Sequence, residues 1–305
     1  MTAAERIKRV APSLPKELAR RGFRSWGAAT SSRRPLPSYL IIGTKRGGTT
    51  SLWRNMQTHP QVVPMFPAAE NLKSPHYFDI NWDRSESWYR SYFPTEQRRE
   101  RARRVAGLDG PVVSGDASPY YLFHPAAAGR AAQTVPGAKV IVLLRHPVDR
   151  AWSHFHERVG AGTETLEFEA ALDAEDDRLR PARDRMAAGD YAYDESHDFC
   201  SYLARGRYWE QLETWLGQFP ASSVLVMRSE SYYADPGNHL RRVFDFVGID
   251  ADVELPDLRH MNRLPARPLE PRLRGRLNEY YRPHVQTLQE RLDRDFEWDL
   301  TADRV

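Results

Sequence analysis

The chain reads as an α/β protein in three layers, a central parallel sheet flanked by helices. Three observations lead there. Apolar runs at Tyr39-Leu40-Ile41-Ile42 and, after Lys139, at Val140-Ile141-Val142-Leu143-Leu144 have the form of buried strands, and Val224-Leu225-Val226-Met227 reads as a further one. A helical pattern follows each run, and strands alternating with helices argue for a parallel sheet covered on both sides. The composition of the 305 residues, 41% apolar and 28% charged, fits a folded globular chain and excludes disorder throughout.

Taken in order, residues 1–36 hold nine Lys or Arg against two Glu, so a chain of net charge +3 carries an excess of +7 in its tail. The tail has no apolar h-region and places Glu5 among its basic residues, which argues against an export signal and for a cytoplasmic protein. It is read as a basic arm, partly ordered or disordered and solvated, with no nucleic-acid partner and no stable membrane insertion. Residues 37–305 are read as a single domain. Its first strand, Tyr39 to Ile42, leads through Gly43 to Gly48 into a helix from Thr49 to Gln57, where Leu52 and Met56 fall on one face and His59-Pro60 ends the run. A short strand is expected at Val112-Val113. The strand Lys139 to Leu144 runs into a helix from Val148 to about Arg158, with Pro147 suited to a first helical position. Tyr208 to Phe219 carries an amphipathic stripe of core type, and Val224 to Met227 leads to a helix from Asn238 to Val247. Two long segments lack apolar periodicity. Val62 to Arg84 is rich in Pro, His, Lys, Trp and Tyr and looks like a site, whereas Gly160 to Phe199 looks like a solvated helix with a mobile insertion. Cys200 is the only cysteine, which excludes an intramolecular disulfide and a Cys-based zinc site. The longest aliphatic run, Val140 to Leu144, is far below the roughly 20 residues of a membrane helix.

Ligands in open α/β sheets bind beyond the carboxyl ends of the strands. The loop after the first strand reads Gly43-Thr44-Lys45-Arg46-Gly47-Gly48-Thr49-Thr50-Ser51. Paired glycines let backbone N–H groups approach an anion, the next helix offers its positive N-terminus, and Thr49, Thr50 and Ser51 add hydroxyl donors. An ordinary strand-to-helix turn needs one glycine and one cap, and does not account for two cations beside two glycines and three hydroxyls. Gly43 and Gly48 keep a P-loop-like G-x-x-x-x-G spacing, but Thr49 stands where a Walker lysine belongs and Arg145 follows the later strand in place of a metal-binding Asp. The loop is therefore expected to bind an anion without metal, which sets aside a magnesium-dependent kinase.

At this point the sequence resembles the sulfotransferases that use 3′-phosphoadenosine 5′-phosphosulfate (PAPS), and most of all their heparan sulfate and related carbohydrate branch. Arg46-Gly47-Gly48-Thr49-Thr50 is similar to the family's 5′-phosphosulfate loop, and the strand Val140 to Leu144 with Arg145, Pro147 and Ser153 is similar to its 3′-phosphate motif. The two motifs stand in the family's order, about 100 residues apart, within a likeness covering roughly Pro37 to Gly248. The resemblance implies PAPS as donor and adenosine 3′,5′-bisphosphate (PAP) as product. Lys45, Arg46 and the residues from Gly47 to Ser51 would hold the phosphosulfate, and Arg145 and Ser153 the 3′-phosphate. An ion pair between Arg145 and Asp149 is the structural alternative. Arg259-His260-Met261-Asn262-Arg263 resembles the family's basic covering loop weakly, with Arg263 a second candidate for the 3′-phosphate.

The base departs from the family. Lys73-Ser74-Pro75-His76-Tyr77-Phe78-Asp79 resembles a stretch in which a Glu, the usual base, stands where this chain has Ser74. Serine cannot take a proton near neutral pH, whereas an imidazole with an ordinary pKa of about 6.5 can. His76 is the candidate base, Asp79 its orienting group or replacement, and Lys73 a partner for the donor's bridging oxygen or for the acceptor. Gly115-Asp116-Ala117-Ser118-Pro119 is similar to a Glu-Lys-Thr-Pro stretch of the family. It makes Asp116 a second candidate base, or a cap of the Ser118-Pro119 turn, and Ala117 in place of the Lys argues against polyanionic acceptors. A hydroxyl of a small molecule or a sugar is the expected acceptor, and Trp82, Trp88, Tyr89 and Tyr92 could stack on it or belong to the core. The missing Glu and Lys also fit a nucleotide- or glycan-binding module without turnover.

Overall fold

The computed structural model describes residues 14–255, 258 and 268–301. The strands β1 (Tyr39–Gly43), β2 (Gly115–Ala117), β3 (Lys139–Leu144) and β4 (Val224–Arg228) pair in the order β2-β1-β3-β4, parallel throughout. The helices in chain order are α1 (Leu14–Ala29), α2 (Thr49–Met56), α3 (Glu86–Arg90), α4 (Glu96–Val105), α5 (Ala127–Thr134), α6 (Pro147–Gly160) and α7 (Phe168–Asp173). They continue with α8 (Glu175–Ala187), α9 (Glu195–Phe199), α10 (Tyr208–Leu216), α11 (Ser229–Ala234), α12 (Pro236–Val247) and α13 (Pro271–Leu292).

The period of two along the strands divides the core between the two faces of the sheet. Leu40, Ile42, Val140, Val142 and Leu144 meet Leu212 and Trp215 of α10 and Val285 and Leu288 of α13 on one side. Tyr39, Ile41, Ile141 and Leu143 meet Leu52, Trp53 and Met56 of α2 and Leu240, Val243 and Phe244 of α12 on the other. A further cluster joins Val148, Ala151 and Phe155 of α6 to Phe168 and Leu172 of α7 and Leu277 and Tyr281 of α13. Helices cover both faces, giving the three-layer arrangement. No described helix is long and apolar enough to cross a membrane.

Two expectations are corrected. The edge strand is Gly115–Ala117, not Val112-Val113; Val113 forms only an isolated parallel bridge to Val62. The apolar valine marks where the chain packs, but the pairing edge is taken by Gly115 opposite Tyr39, because the Tyr39 ring lies where a side chain at 115 would stand. The segment from Gly160 to Phe199 does hold a helix with a solvated face, where Asp176, Asp177 and Arg180 are exposed, but it is more than that helix and an insertion. It folds into α7, α8 and α9, with Leu179, Ala182 and Met186 of α8 buried. Two of its acidic residues are used internally: Glu175 accepts from the backbone N–H groups of Leu203 (2.5 Å) and Ala204 (2.8 Å), and Glu164 pairs with Arg178 at 2.7 Å.

Since an added methyl group at 115 overlaps the Tyr39 ring, Gly115→Ala is expected to destabilise the fold by about 1–3 kcal/mol, the usual cost of overpacking. Urea unfolding midpoints measure it; an unchanged midpoint would mean that Tyr39 moves aside freely.

Candidate functional site

The chain leaves β1, β3 and β4 at the same edge of the sheet, and the three exits converge on one loop. Thr44 donates its N–H to Leu143 O (2.8 Å), Arg145 donates from Nη1 to Arg46 O (3.3 Å), and Ser229, the first residue after β4, donates from Oγ to Gly47 O (2.5 Å). Gly48 sits at φ +97° as the residue before α2, where a Cβ would come 2.6 Å from Tyr233 Oη. Only glycine fits there. Gly48 supplies no side-chain cap to α2, so the positive N-terminus of the helix faces the loop, a position that favours an anion. Arg46, itself left-handed at φ 69°, donates from Nε to Ser153 Oγ of α6 at 3.0 Å, joining two motifs 107 residues apart. Lys73 reaches in from the other side and donates from Nζ to Thr49 Oγ1 (3.0 Å) and Thr50 Oγ1 (3.3 Å). Ser51 is buried at the base of the loop.

The site concentrates positive charge out of water. Burial pushes the Lys45 ammonium down to about 8, with Arg205 adding to the effect and Asp198 and Glu157 opposing it. Burial also brings Lys73 down to about 8 against the pull of Asp116 and Glu157, and lowers Arg46. Two carboxylates offset this field. Asp198 of α9 accepts from Lys45 Nζ (3.2 Å) and Arg205 Nη2 (2.6 Å), and although burial disfavours its charge, these cations hold its pKa low. Glu157 of α6 stands 4.0 Å from Arg46.

Beside the loop, His76 Nδ1 lies 3.0 Å from Asp79 Oδ2, which also accepts from Ser118 Oγ at 2.7 Å. The His76 side chain is 41% exposed while that of Asp79 is fully buried, so the imidazole is held from beneath and open above. Desolvation lowers the imidazole pKa, but the hydrogen bond and charge of Asp79, with Asp116 and Asp198 behind it, raise it overall. Ser74 Oγ accepts the His76 N–H at 2.9 Å, helping to hold that residue at φ 54°. Asp116 is wholly buried in β2, accepting on Oδ2 from Tyr89 Oη (2.9 Å) and Tyr121 Oη (2.8 Å). Desolvation raises its pKa to about 6, and it does not cap the Ser118-Pro119 turn.

The structure thus gathers Lys45, Arg46, Lys73, Arg145 and Ser153 around the loop from Gly47 to Ser51, with His76 and Asp79 alongside. The Arg145–Asp149 ion pair does not form; Asp149 pairs with Arg274 at 2.6 Å. Arg263 lies outside the described residues. Tyr89 is core, and Trp82, Trp88 and Tyr92 pack partly buried against the same cluster. Among the described residues no group of three or more His, Cys, Asp or Glu side chains is placed to hold a metal ion. Asp198, Glu157, Ser229 and Tyr233 are not singled out by the sequence, since each reaches the site by tertiary contact and none stands in a motif; Ser118 stands in the Gly115–Pro119 stretch, but its bond to Asp79 is not visible there. The donor set, uncapped helix N–H groups with hydroxyls and desolvated cations, fits a phosphosulfate or phosphate group.

Comparison with known proteins agrees with this chemistry. A family model described as "Sulfotransferase domain" matches residues 36–263. Heparan sulfate glucosamine 3-O-sulfotransferase 6 of Mus musculus is 28% identical, covering 89% of this chain and 76% of the relative. Membrane-associated sulfotransferase kil1 of Dictyostelium discoideum is 23% identical over 86% of this chain, which spans 66% of the length of that protein. The crystal structure of a sulfotransferase from Alicyclobacillus acidocaldarius superposes with a TM-score of 0.64 at 29% identity, covering 86% of this chain and 97% of that one.

The contact between His76 and Asp79 is directly testable. Asp79→Asn is expected to lower the His76 pKa, followed through the imidazole ring protons by NMR across pH; an unchanged titration would show that Asp79 does not govern the imidazole.

Proposed function

The chain belongs to the sulfotransferase domain family, and we propose that it is a PAPS-dependent enzyme that transfers the sulfuryl group to a hydroxyl of a small-molecule or carbohydrate acceptor, with His76 as general base. The observation that carries the reading is the junction of Arg46 with Ser153 at the uncapped N-terminus of α2, which brings the loop for a 5′-phosphosulfate against the helix for a 3′-phosphate. When bound, PAPS supplies the sulfuryl group and leaves as PAP.

In this reading the loop from Gly47 to Ser51 receives the phosphosulfate through backbone N–H groups and hydroxyls, and Arg46 and Lys45 balance its charge. Lys73, already on the hydroxyls of Thr49 and Thr50, would offset with its charge the negative charge that grows on the donor's bridging oxygen as the S–O bond breaks. Arg145 and Ser153 hold the 3′-phosphate. Neutral His76 takes the acceptor proton on Nε2, because Nδ1 is engaged by Asp79, and the imidazolium so formed is stabilised by that carboxylate. Asp116 supports this role less well, since it is fully buried below the site and its Oδ2 is occupied by two tyrosines. Ser74, in the place of the family's Glu, is a backbone partner of His76 instead.

For the donor site, Arg145→Ala is expected to weaken PAP binding by about 1.5–3 kcal/mol, as loss of a charged hydrogen bond does, and to leave adenosine 5′-phosphate binding nearly unchanged. Calorimetry with both ligands decides; equal losses would make Arg145 structural.

For the base, kcat/KM for PAP release with a pool of hydroxyl acceptors is expected to fall on acidification through one pKa above the ordinary histidine value of 6.5, because the base must be neutral and Asp79 favours its proton. His76→Asn, a replacement that tolerates left-handed backbone, is expected to lose about a hundredfold or more in turnover with PAP affinity kept. Near-normal turnover in that variant, with Asp116→Asn inactive, would assign the base to the carboxylate.

A further inference from the structure

Helix α1 lies against the body through one side only. Arg24 stacks on the Tyr92 ring at 4.0 Å, Arg20 pairs with Glu70 at 3.5 Å, and Gly27 abuts the Ser91 carbonyl so closely that a Cβ would come within 2.8 Å of it. The other side carries Leu18 and Trp26, two turns apart and 65% and 62% exposed, and Phe23 at its margin is 42% exposed. Scattered exposed apolar residues are ordinary on soluble proteins. Two large ones on the outer face of one helix, in the most basic part of the chain, are not scattered.

The charge continues onto the neighbouring element. Arg34, buried between them, feels the charges of Arg24 on α1 and Arg98 on α4. On α4, Arg98, Arg101, Arg103 and Arg104 are all exposed, against Glu96 and Glu100, and Val105 at its end is 81% exposed. Arg20, Arg24 and Arg34 belong to a stretch, residues 1–36, with nine Lys or Arg against two Glu in sequence. We infer that this α1–α4 face is a docking surface for an anionic lipid bilayer. Arginines meet the headgroups, while Leu18 and Trp26 enter the headgroup boundary, Trp being suited to it by an apolar body and a polar N–H. A second copy of the chain fits less well, since a two-fold contact would set the basic face against itself. A nucleic acid would use the charge and leave the leucine and tryptophan without a partner.

The test is co-sedimentation of the full chain with vesicles of phosphatidylcholine alone or mixed with phosphatidylserine. Binding is expected to the mixed vesicles only and to fall as salt rises. Leu18→Ser with Trp26→Ser should weaken it at least tenfold through lost apolar burial, and Arg98→Ser with Arg101→Ser about thirtyfold through two lost charges. Unchanged PAP affinity and thermal midpoint show that the variants fold. The inference is overturned by absence of binding to phosphatidylserine vesicles, by equal binding of the Leu18/Trp26 variant, or by a dimer in sedimentation velocity that this variant dissolves. RNA binding that the Leu18/Trp26 variant retains, alongside unchanged vesicle binding, would likewise make the face a simple polyanion surface.

Discussion

Parallel pairing of β1 with β3 is the constraint from which the site follows. With Leu40 beside Val140 and Ile41 beside Ile141, both strands end at the same edge, and the chain must turn out of each within a few ångströms of the other. That proximity lets Arg145, immediately after β3, reach the carbonyl of Arg46, and lets α6 bring Ser153 to the Arg46 side chain. β4 adds Ser229 to the same junction. The loop is therefore tied at three points by elements distant in sequence, and these ties hold Arg46 in a left-handed conformation that a non-glycine residue does not favour by itself, while Gly48 adopts its own freely.

A second constraint is electrostatic. Cations taken out of water lose hydration, and Lys45 also meets the charge of Arg205, which is why Lys45 and Lys73 both hold their protons less firmly than free lysines. Asp198 and Glu157 keep the assembly tolerable without filling the loop itself. Asp198 also binds Arg205, so the segment that carries α9 is anchored to the site rather than laid over it.

Much of this architecture was legible from the residues, and the boundary has physical causes. β1 and β3 are visible because a strand buried on both faces must be apolar throughout, β4 because its run stays apolar although Val224 and Val226 are only half-buried, and the anion loop because close backbone approach demands glycine. β2 was misplaced because its three residues, Gly115, Asp116 and Ala117, make no apolar run; the strand is specified by the Tyr39 ring across it and by the tyrosines that satisfy Asp116. The segment from Gly160 to Phe199 read as solvated because its carboxylates and arginines satisfy one another and nearby N–H groups, a pairing that composition does not reveal. Asp198 and Glu157 belong to the same class, counter-charges defined only once the chain is folded.

The burial of Asp116 bears on a property apart from the reaction. Its carboxyl binds a proton more firmly in the folded chain, with a pKa near 6, than at its ordinary value of 3.8. Between those two values the native state holds more protons than the unfolded one, so this group's contribution to stability falls as pH rises through the window. The raised pKa of His76 acts in the same sense at higher pH: its stabilisation is complete below 6.5 and is lost as the folded imidazole deprotonates. A neutral imidazole is the form that can receive a proton. The contribution of Asp116 is thus largest below pH 3.8 and spent by about pH 6, whereas that of His76 persists to higher pH and declines over the range in which the imidazole becomes a competent base.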